Sequence, residues 1–234
     1  YQDWCIGSLA ERLSDTQTSQ DFYESAKKVW NLWSEELQHF APKDNAGKWA
    51  SPFDINVCRK DSWNDPYFYE GVSRSWTYNF QADFAGLVAR CGGEVGFEQH
   101  LDRYFEDKKI IAKETFMHIP YLYHYANRPD KSSKIVRRIL SKAYKPERFG
   151  IPDNEDMGCH SAFYICGLLG IYPMMGQDWY FLVAPAFERS VITLGQSGAE
   201  LIIEAQKASD KNVYIESASP VSYTHLRAHE TVVH

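Results

Sequence analysis

The sequence predicts a mainly α-helical protein whose chain turns to β-structure towards its C-terminal end. Over residues 1–176, apolar side chains recur with a period of about 3.6 residues, which is typical of amphipathic helices. Residues 177–218 carry short β-branched runs separated by Gly, Ser, Asp and Asn, which is typical of antiparallel strands. We therefore expect a helical domain followed by the start of a β domain.

Helices are predicted one after another along the first domain. Residues 21–37 place Phe22 and Trp30 on one helical face, and Ser19 before them is a suitable N-cap. Residues 42–66, rich in Pro, Gly and Asp, are predicted to be a long loop, and loops of this length commonly build a functional site. Further helices are predicted at residues 76–88, 97–105, 119–126, 135–143 and 156–169.

The second domain is predicted to begin with an antiparallel sheet. Its strands are expected at residues 180–183, 191–194, 201–205 and 213–216, each bounded by turn-forming residues.

Composition narrows the function classes. The 234 residues have a formal net charge of −6, which argues against nucleic acid or an anionic membrane as partner, since both bind basic surfaces. No apolar run reaches the roughly 20 residues needed to span a bilayer. Five cysteines without a C-x-x-C pair argue against a disulfide framework or a zinc site. Trp and Tyr in excess suit a pocket that stacks on sugar rings.

The two ends of the chain have an unusual character. Residues 221–231, VSYTHLRAHET, look like the translation of a sequencing adapter, so we expect residues 219–234 to be a foreign tail. His225 and His229 in this segment are discounted as a metal site. The chain begins at Tyr1 without an initiator Met, and we expect the helical domain to lack its native N-terminal part.

Two carboxylates are candidates for acid–base chemistry. Glu70 follows Tyr67, Phe68 and Tyr69, and apolar surroundings would raise its pKa and keep it protonated. Asp156 precedes a predicted helix, whose N-terminus would keep it ionised. Hydrolysis of a glycoside needs one carboxyl group of each kind.

A simpler interpretation of the second carboxylate segment is capping. Asp153, Asn154 and Glu155 are residue types that commonly satisfy the free N–H groups of a following helix. A Glu beside aromatic residues, such as Glu70, is likewise more often a hydrogen-bonded loop residue than a catalytic one.

Four motifs in a fixed order resemble glycoside hydrolase family 92, the calcium-dependent exo-acting α-mannosidases. They are YEGVSRSWTY, GGEVGFEQHLDRYF, ETFMHIPYLYHYA and NEDMGCHSAFYICGLLGIYP, and the resemblance covers residues 9–217. It implies part of an (α/α)6 toroid catalytic domain followed by the start of an antiparallel β-sandwich segment. It also implies an inverting enzyme that releases terminal mannose from α-mannosides such as N-glycans or mannan. A secreted, periplasmic or cell-surface location follows from the same resemblance.

The resemblance also implies roles for single residues. Glu70 is similar to the general acid, and Asp156 to the base that activates water. Glu114 and Asp156 are expected near the calcium ion, with the backbone carbonyl of Lys113 as a further ligand. The expected substrate-binding residues are Trp76, Tyr78, Asp83, Asn154 and Glu155.

This chain departs from the family pattern at the expected metal site. Lys113 stands where the G-N-E-P element has Asn, and its ammonium group would either repel calcium or replace it. Ala82 stands where a His is usual. These changes leave two alternatives open, a non-catalytic mannoside-binding homologue and a different (α/α)6 sugar hydrolase.

Overall fold

The computed structural model describes residues 1–58, 63–80, 82–106 and 113–220. By its internal contacts the chain forms two compact units, Tyr1–His100 and a second from Leu101 onward. Helices dominate the described residues and the strands are short, so the prediction of a mainly α-helical protein is confirmed. Among the described residues no helix has both the length and the apolar character that crossing a membrane requires. The predicted foreign tail lies outside the described residues from residue 221 on.

Two antiparallel helices open the first unit. Helix α1 (Gln2–Arg12) packs on α2 (Thr16–Lys27), and the Asp15 carboxylate caps α2 by accepting the Thr18 N–H at 3.1 Å. Ser19, the predicted cap, therefore lies inside the helix. At the helix contact, a Cβ atom added to Gly7 would lie 2.8 Å from the Tyr23 ring, so glycine permits the close approach.

The predicted helix over residues 21–37 is wrong in its second half. After α2 the chain makes a 3₁₀ helix, Lys28–Leu32, and then a hairpin of β1 (Trp33–Ser34) and β2 (His39–Phe40). Aromatic packing explains the change, because extended backbone at Trp33 brings its ring within 5.7 Å of Phe40, between ring centroids. Helix α3 (Ser73–Trp76) fixes the hairpin, since the Ser73 hydroxyl donates to the Phe40 carbonyl at 2.6 Å.

Three helices complete the first unit and lead into the second: α3 (Ser73–Trp76), α4 (Phe84–Arg90) and α5 (Gly93–Glu106). The sequence predicts one helix over residues 76–88, and the structure has two short ones. The break arises at Asp83, whose carboxylate accepts the Gly86 N–H at 2.7 Å and so begins α4.

The second unit is built from two 3₁₀ helices, Glu114–Phe116 and Ile119–Ala126, and from α6 (Pro129–Ala143) and α7 (Cys159–Leu169). The segment predicted at residues 119–126 is thus helical but is 3₁₀ in form. Nearly all of its side chains are buried, so packing around it decides its pitch. Helix α7 begins three residues later than predicted, which leaves Asp156 in the loop before it.

Two hairpins follow α7. Strand β3 (Ile171–Pro173) pairs with β4 (Tyr180–Leu182), and β5 (Arg189–Leu194) pairs with β6 (Ala199–Glu204), both antiparallel. The predicted strand at residues 213–216 is wrong, because these residues pair with no strand in the described part of the chain. The toroid and the β-sandwich stay predictions.

Candidate active site

Glu70 lies in a turn with unusual backbone geometry. Its φ angle is +54°, a left-handed conformation that non-glycine residues adopt at a cost of about 1–3 kcal/mol. The turn is fixed from α3, where the Trp76 indole N–H donates to the Tyr69 carbonyl at 2.9 Å. Strained backbone of this kind is common at active sites, but five other non-glycine residues of the described chain also have a left-handed φ, so a catalytic role for Glu70 stays a prediction.

Aromatic side chains surround this turn, as the sequence indicates. Trp63 and Tyr69 pack edge to face with ring centroids 5.5 Å apart, and each remains about half exposed. Phe53 contacts the rings of Tyr67 and Phe68.

Tyr78 and Asp83, two of the predicted sugar-binding residues, have structural partners in the first unit. Tyr78 is fully buried, and its hydroxyl lies 2.7 Å from Nδ1 of His100. Asp83 caps α4 and accepts the Trp30 indole N–H at 3.2 Å. These contacts give both side chains a role in the packing of the first unit, and contact with a sugar stays a prediction.

Glu155 and Asp156, neighbours in the loop before α7, have different surroundings. Glu155 caps the helix, since its Oε1 accepts the Ser161 N–H at 3.0 Å and its carbonyl accepts the Cys159 N–H at 2.9 Å. The Ser161 N–H lowers the pKa of Glu155. Asp156 is exposed in the same loop. The capping interpretation therefore holds for Glu155, while Asp156 keeps its side chain at the surface.

Glu114 and Asp156 share the surroundings of one thiol in the second unit. Burial raises the pKa of Cys159, and the negative charges of Glu114, Glu155 and Asp156 raise it further. Glu155 and Asp156 lie in the loop directly before α7. The ion pair of Lys113 with Asp153 joins the segment of Glu114 to this loop.

The Lys113 side chain pairs with that loop. Its ammonium Nζ lies 2.9 Å from Oδ2 of Asp153, and only about a fifth of each side chain is exposed. The Lys113 carbonyl, the predicted calcium ligand, accepts the Phe116 N–H at 3.1 Å.

The described residues show no cluster of acidic, His or Cys side chains at the expected calcium site. Calcium takes about six to eight oxygen ligands. Within the described ranges no three His, Cys, Asp or Glu side chains are placed to hold a metal ion. Calcium binding at Glu114, Asp156 and Lys113 stays a prediction from the family resemblance.

One residue of this region was missed by sequence reasoning. His160 is fully buried in the first turn of α7, and its Nδ1 lies 3.0 Å from the Tyr144 hydroxyl. Its Nε2 has no hydrogen-bond partner among the described residues. A histidine inside an otherwise small and apolar helix was the signal that could have identified it.

Glu70 belongs to the first unit and Asp156 to the second. The separation that inverting glycosidases need between their two carboxyl groups, roughly 6.5–9.5 Å, stays a prediction for this pair.

Comparison with known proteins first identifies the class to which this protein belongs, the glycosidases. The fold resembles a solved α-mannosidase of Bacteroides thetaiotaomicron, with a TM-score of 0.80 and 26% identity over 90% of this chain and 28% of the other. It also resembles an inverting mannosidase of the same organism, with a TM-score of 0.78 and 27% identity over 90% of this chain and 31% of that one.

The family follows from the sequence comparison. The model of the glycosyl hydrolase family 92 catalytic domain matches residues 1–222, and the chain belongs to this family. The resemblance stated from the motifs is thereby confirmed. An uncharacterized secreted glycosidase of Arthroderma benhamiae is 26% identical over 243 residues, which cover 94% of this chain and 31% of that protein. The chain spans about a third of the length of these relatives.

Proposed function

We propose that the protein containing this chain is an inverting exo-α-mannosidase that releases terminal mannose from α-mannosides. The observation that supports it most is membership of glycosyl hydrolase family 92, together with the likeness to an inverting mannosidase. The secreted relative supports an extracellular place of action.

In the proposed mechanism the two carboxyl groups act on opposite sides of the sugar. Protonated Glu70 donates its proton to the glycosidic oxygen as the bond to the anomeric carbon breaks. Ionised Asp156 takes a proton from a water molecule, whose oxygen attacks the anomeric carbon from the other face. Mannose leaves with inverted configuration, and the aglycone leaves as an alcohol. Capping by Glu155 holds the loop that carries the base.

Removing either carboxyl group tests the assignment. We expect Glu70→Gln and Asp156→Asn each to lower kcat by about a hundredfold or more, since general acid–base steps contribute on that order. The measurement is mannose release from α-mannosides by the protein at its natural length, with the anomer identified by NMR. Asp178→Asn and Glu188→Gln change exposed acids outside the site and serve as matched controls.

Two results would count against the proposal. A rate within tenfold of wild type in either site variant would reject that residue's role. Retained configuration in the released mannose would reject the inverting mechanism, and faster cleavage of α-glucosides than α-mannosides would assign another sugar hydrolase.

A second candidate is a mannoside-binding protein without catalysis. The Lys113–Asp153 contact favours it, because a cation beside the expected metal site changes the charge there. Calorimetry would then show saturable mannoside binding while the product assay shows no mannose.

A further inference from the structure

The contact between Lys113 and Asp153 joins two segments of the second unit. Lys113 directly precedes the 3₁₀ helix Glu114–Phe116, and Asp153 belongs to the loop that leads through Asp156 into α7. At 2.9 Å, the two groups form a hydrogen-bonded ion pair. With about a fifth of each side chain exposed, solvent screens the pair less than it screens a surface pair.

Several carboxylates belong to the two segments that this pair joins. Glu114 follows Lys113 directly, and Asp153, Glu155 and Asp156 stand in the loop before α7. Like charges repel each other, so a positive charge between the segments stabilises their contact. A divalent cation or a lysine ammonium group can supply it.

Several of the oxygen atoms that a calcium ion could use already accept a hydrogen bond. The Lys113 carbonyl accepts the Phe116 N–H, and Oε1 of Glu155 accepts the Ser161 N–H. Oδ2 of Asp153 accepts from the Lys113 ammonium group. Two carboxylates, Glu114 and Asp156, do not make up the six or more ligands that calcium takes.

We propose that the Lys113–Asp153 ion pair replaces the divalent cation in this chain, so that the loop of the proposed base is held without calcium. The inference concerns the site of the proposed function. Its experiment measures thermal stability, so the inference and the function can fail separately.

The experiment compares melting temperatures in millimolar CaCl2 and in EGTA. We expect no difference for the wild-type chain. A bound calcium ion at a hundred times its Kd would raise Tm by about 5 °C or more. Such a rise in the wild type, or calcium binding seen by calorimetry, would overturn the proposal.

Substitutions test the role of the ammonium group. Lys113→Met should lower Tm by several degrees, and Lys113→Arg, which keeps the cation, should stay within about 1 °C of wild type. Lys131→Met is the matched control, because Lys131 pairs with Asp102 at 2.6 Å elsewhere in the same unit. Its Tm should also fall, but the amide protons of Cys159 and Ser161 should keep their exchange rates.

Lys113→Met should instead speed the exchange of those two amides about tenfold or more relative to Lys131→Met. Equal rates in the two variants would show that the pair does not hold the loop. If Lys113→Met does not fold, the Tm of Lys113→Arg is measured with and without calcium instead. A rise of this Tm in calcium would also overturn the inference. Calcium could leave the Tm of this chain unchanged while the protein at its natural length releases no mannose. That result would support the inference and reject the proposed function.

Discussion

At the scale of single residues, His160 is a buried polar side chain with only part of its hydrogen-bonding capacity used. Its ring is fully buried, with one nitrogen atom near the Tyr144 hydroxyl and the other without a hydrogen bond among the described residues. A buried polar group without a partner costs about 1–3 kcal/mol. Tyr144 follows directly after α6, so the Tyr144–His160 contact ties the end of α6 to the start of α7.

Removing the Tyr144 hydroxyl tests this tie. We expect Tyr144→Phe to lower the free energy of unfolding by about 1–3 kcal/mol, because it leaves both His160 nitrogen atoms without partners. The double variant Tyr144→Phe/His160→Leu should recover part of the loss, since it removes the buried polar ring. Urea unfolding measures both, with the exposed Tyr180→Phe as control. A double variant less stable than Tyr144→Phe alone would contradict the explanation.

The sequence could not separate these roles residue by residue. Glu155 and Asp156 are chemically alike and adjacent, and only the fold shows that Glu155 caps α7 while Asp156 is exposed. The Lys113–Asp153 contact joins positions forty residues apart in the chain, a pairing that no local pattern contains.

At the scale of elements, α6 and α7 pack closely at Gly167. A Cβ atom added there would lie 2.9 Å from Cδ1 of Leu140 and 3.3 Å from Cγ1 of Val136, both buried in α6. Glycine inside a helix is unfavourable by about 1 kcal/mol relative to alanine, so its presence reflects this contact.

We expect Gly167→Ala to destabilise the protein by about 1 kcal/mol, because overpacking a core commonly costs about 1–3 kcal/mol and exceeds the gain in helix propensity. Chemical denaturation gives the value. Ile165→Ala, on the exposed side of the same helix, should be neutral or slightly stabilising. A stabilised Gly167→Ala protein would mean that Leu140 moves aside without cost.

Helices and strands were predicted correctly where the local apolar pattern determines the structure. The prediction failed where contacts with residues distant in the chain determine it. Helix α6 was predicted, although it begins earlier, at Pro129. The 3.6-residue pattern runs on through Trp30 and Trp33, but the structure breaks it because these rings pack on Phe40 of the hairpin. Residues 213–216 have strand-like composition, yet composition does not provide a neighbouring strand.

At the scale of the whole molecule, the order of motifs carried more information than any single motif. Four segments in one order predicted the family, and the match over residues 1–222 confirms it. The periodic pattern predicted the mainly α-helical class but not a closed ring of helix pairs, since closure depends on contacts between distant elements.

The stability of the protein should depend on pH in two windows. Burial lowers the pKa of His124 from its ordinary value of 6.5, against the opposing effect of the Tyr121 and Leu182 carbonyls, whose oxygen atoms lie 2.8 Å from Nδ1 and 2.9 Å from Nε2. The unfolded chain therefore takes up the proton first, and stability falls as the pH drops below 6.5. Asp130 and Asp153 have pKa values below the ordinary 3.8, so their contribution is lost only at lower pH.

We therefore expect the urea midpoint to fall modestly between neutral pH and roughly pH 5.5, and steeply below about pH 4. His124→Leu should weaken the first decrease and keep the second, because it removes a buried imidazole that must take up a proton in that range. Asp153→Asn should keep the decrease of the urea midpoint above roughly pH 5.5 and weaken the steep decrease below about pH 4. A wild-type midpoint that is constant from neutral pH to roughly pH 5.5 would contradict the role of His124, since a neutral buried imidazole must lose stability there.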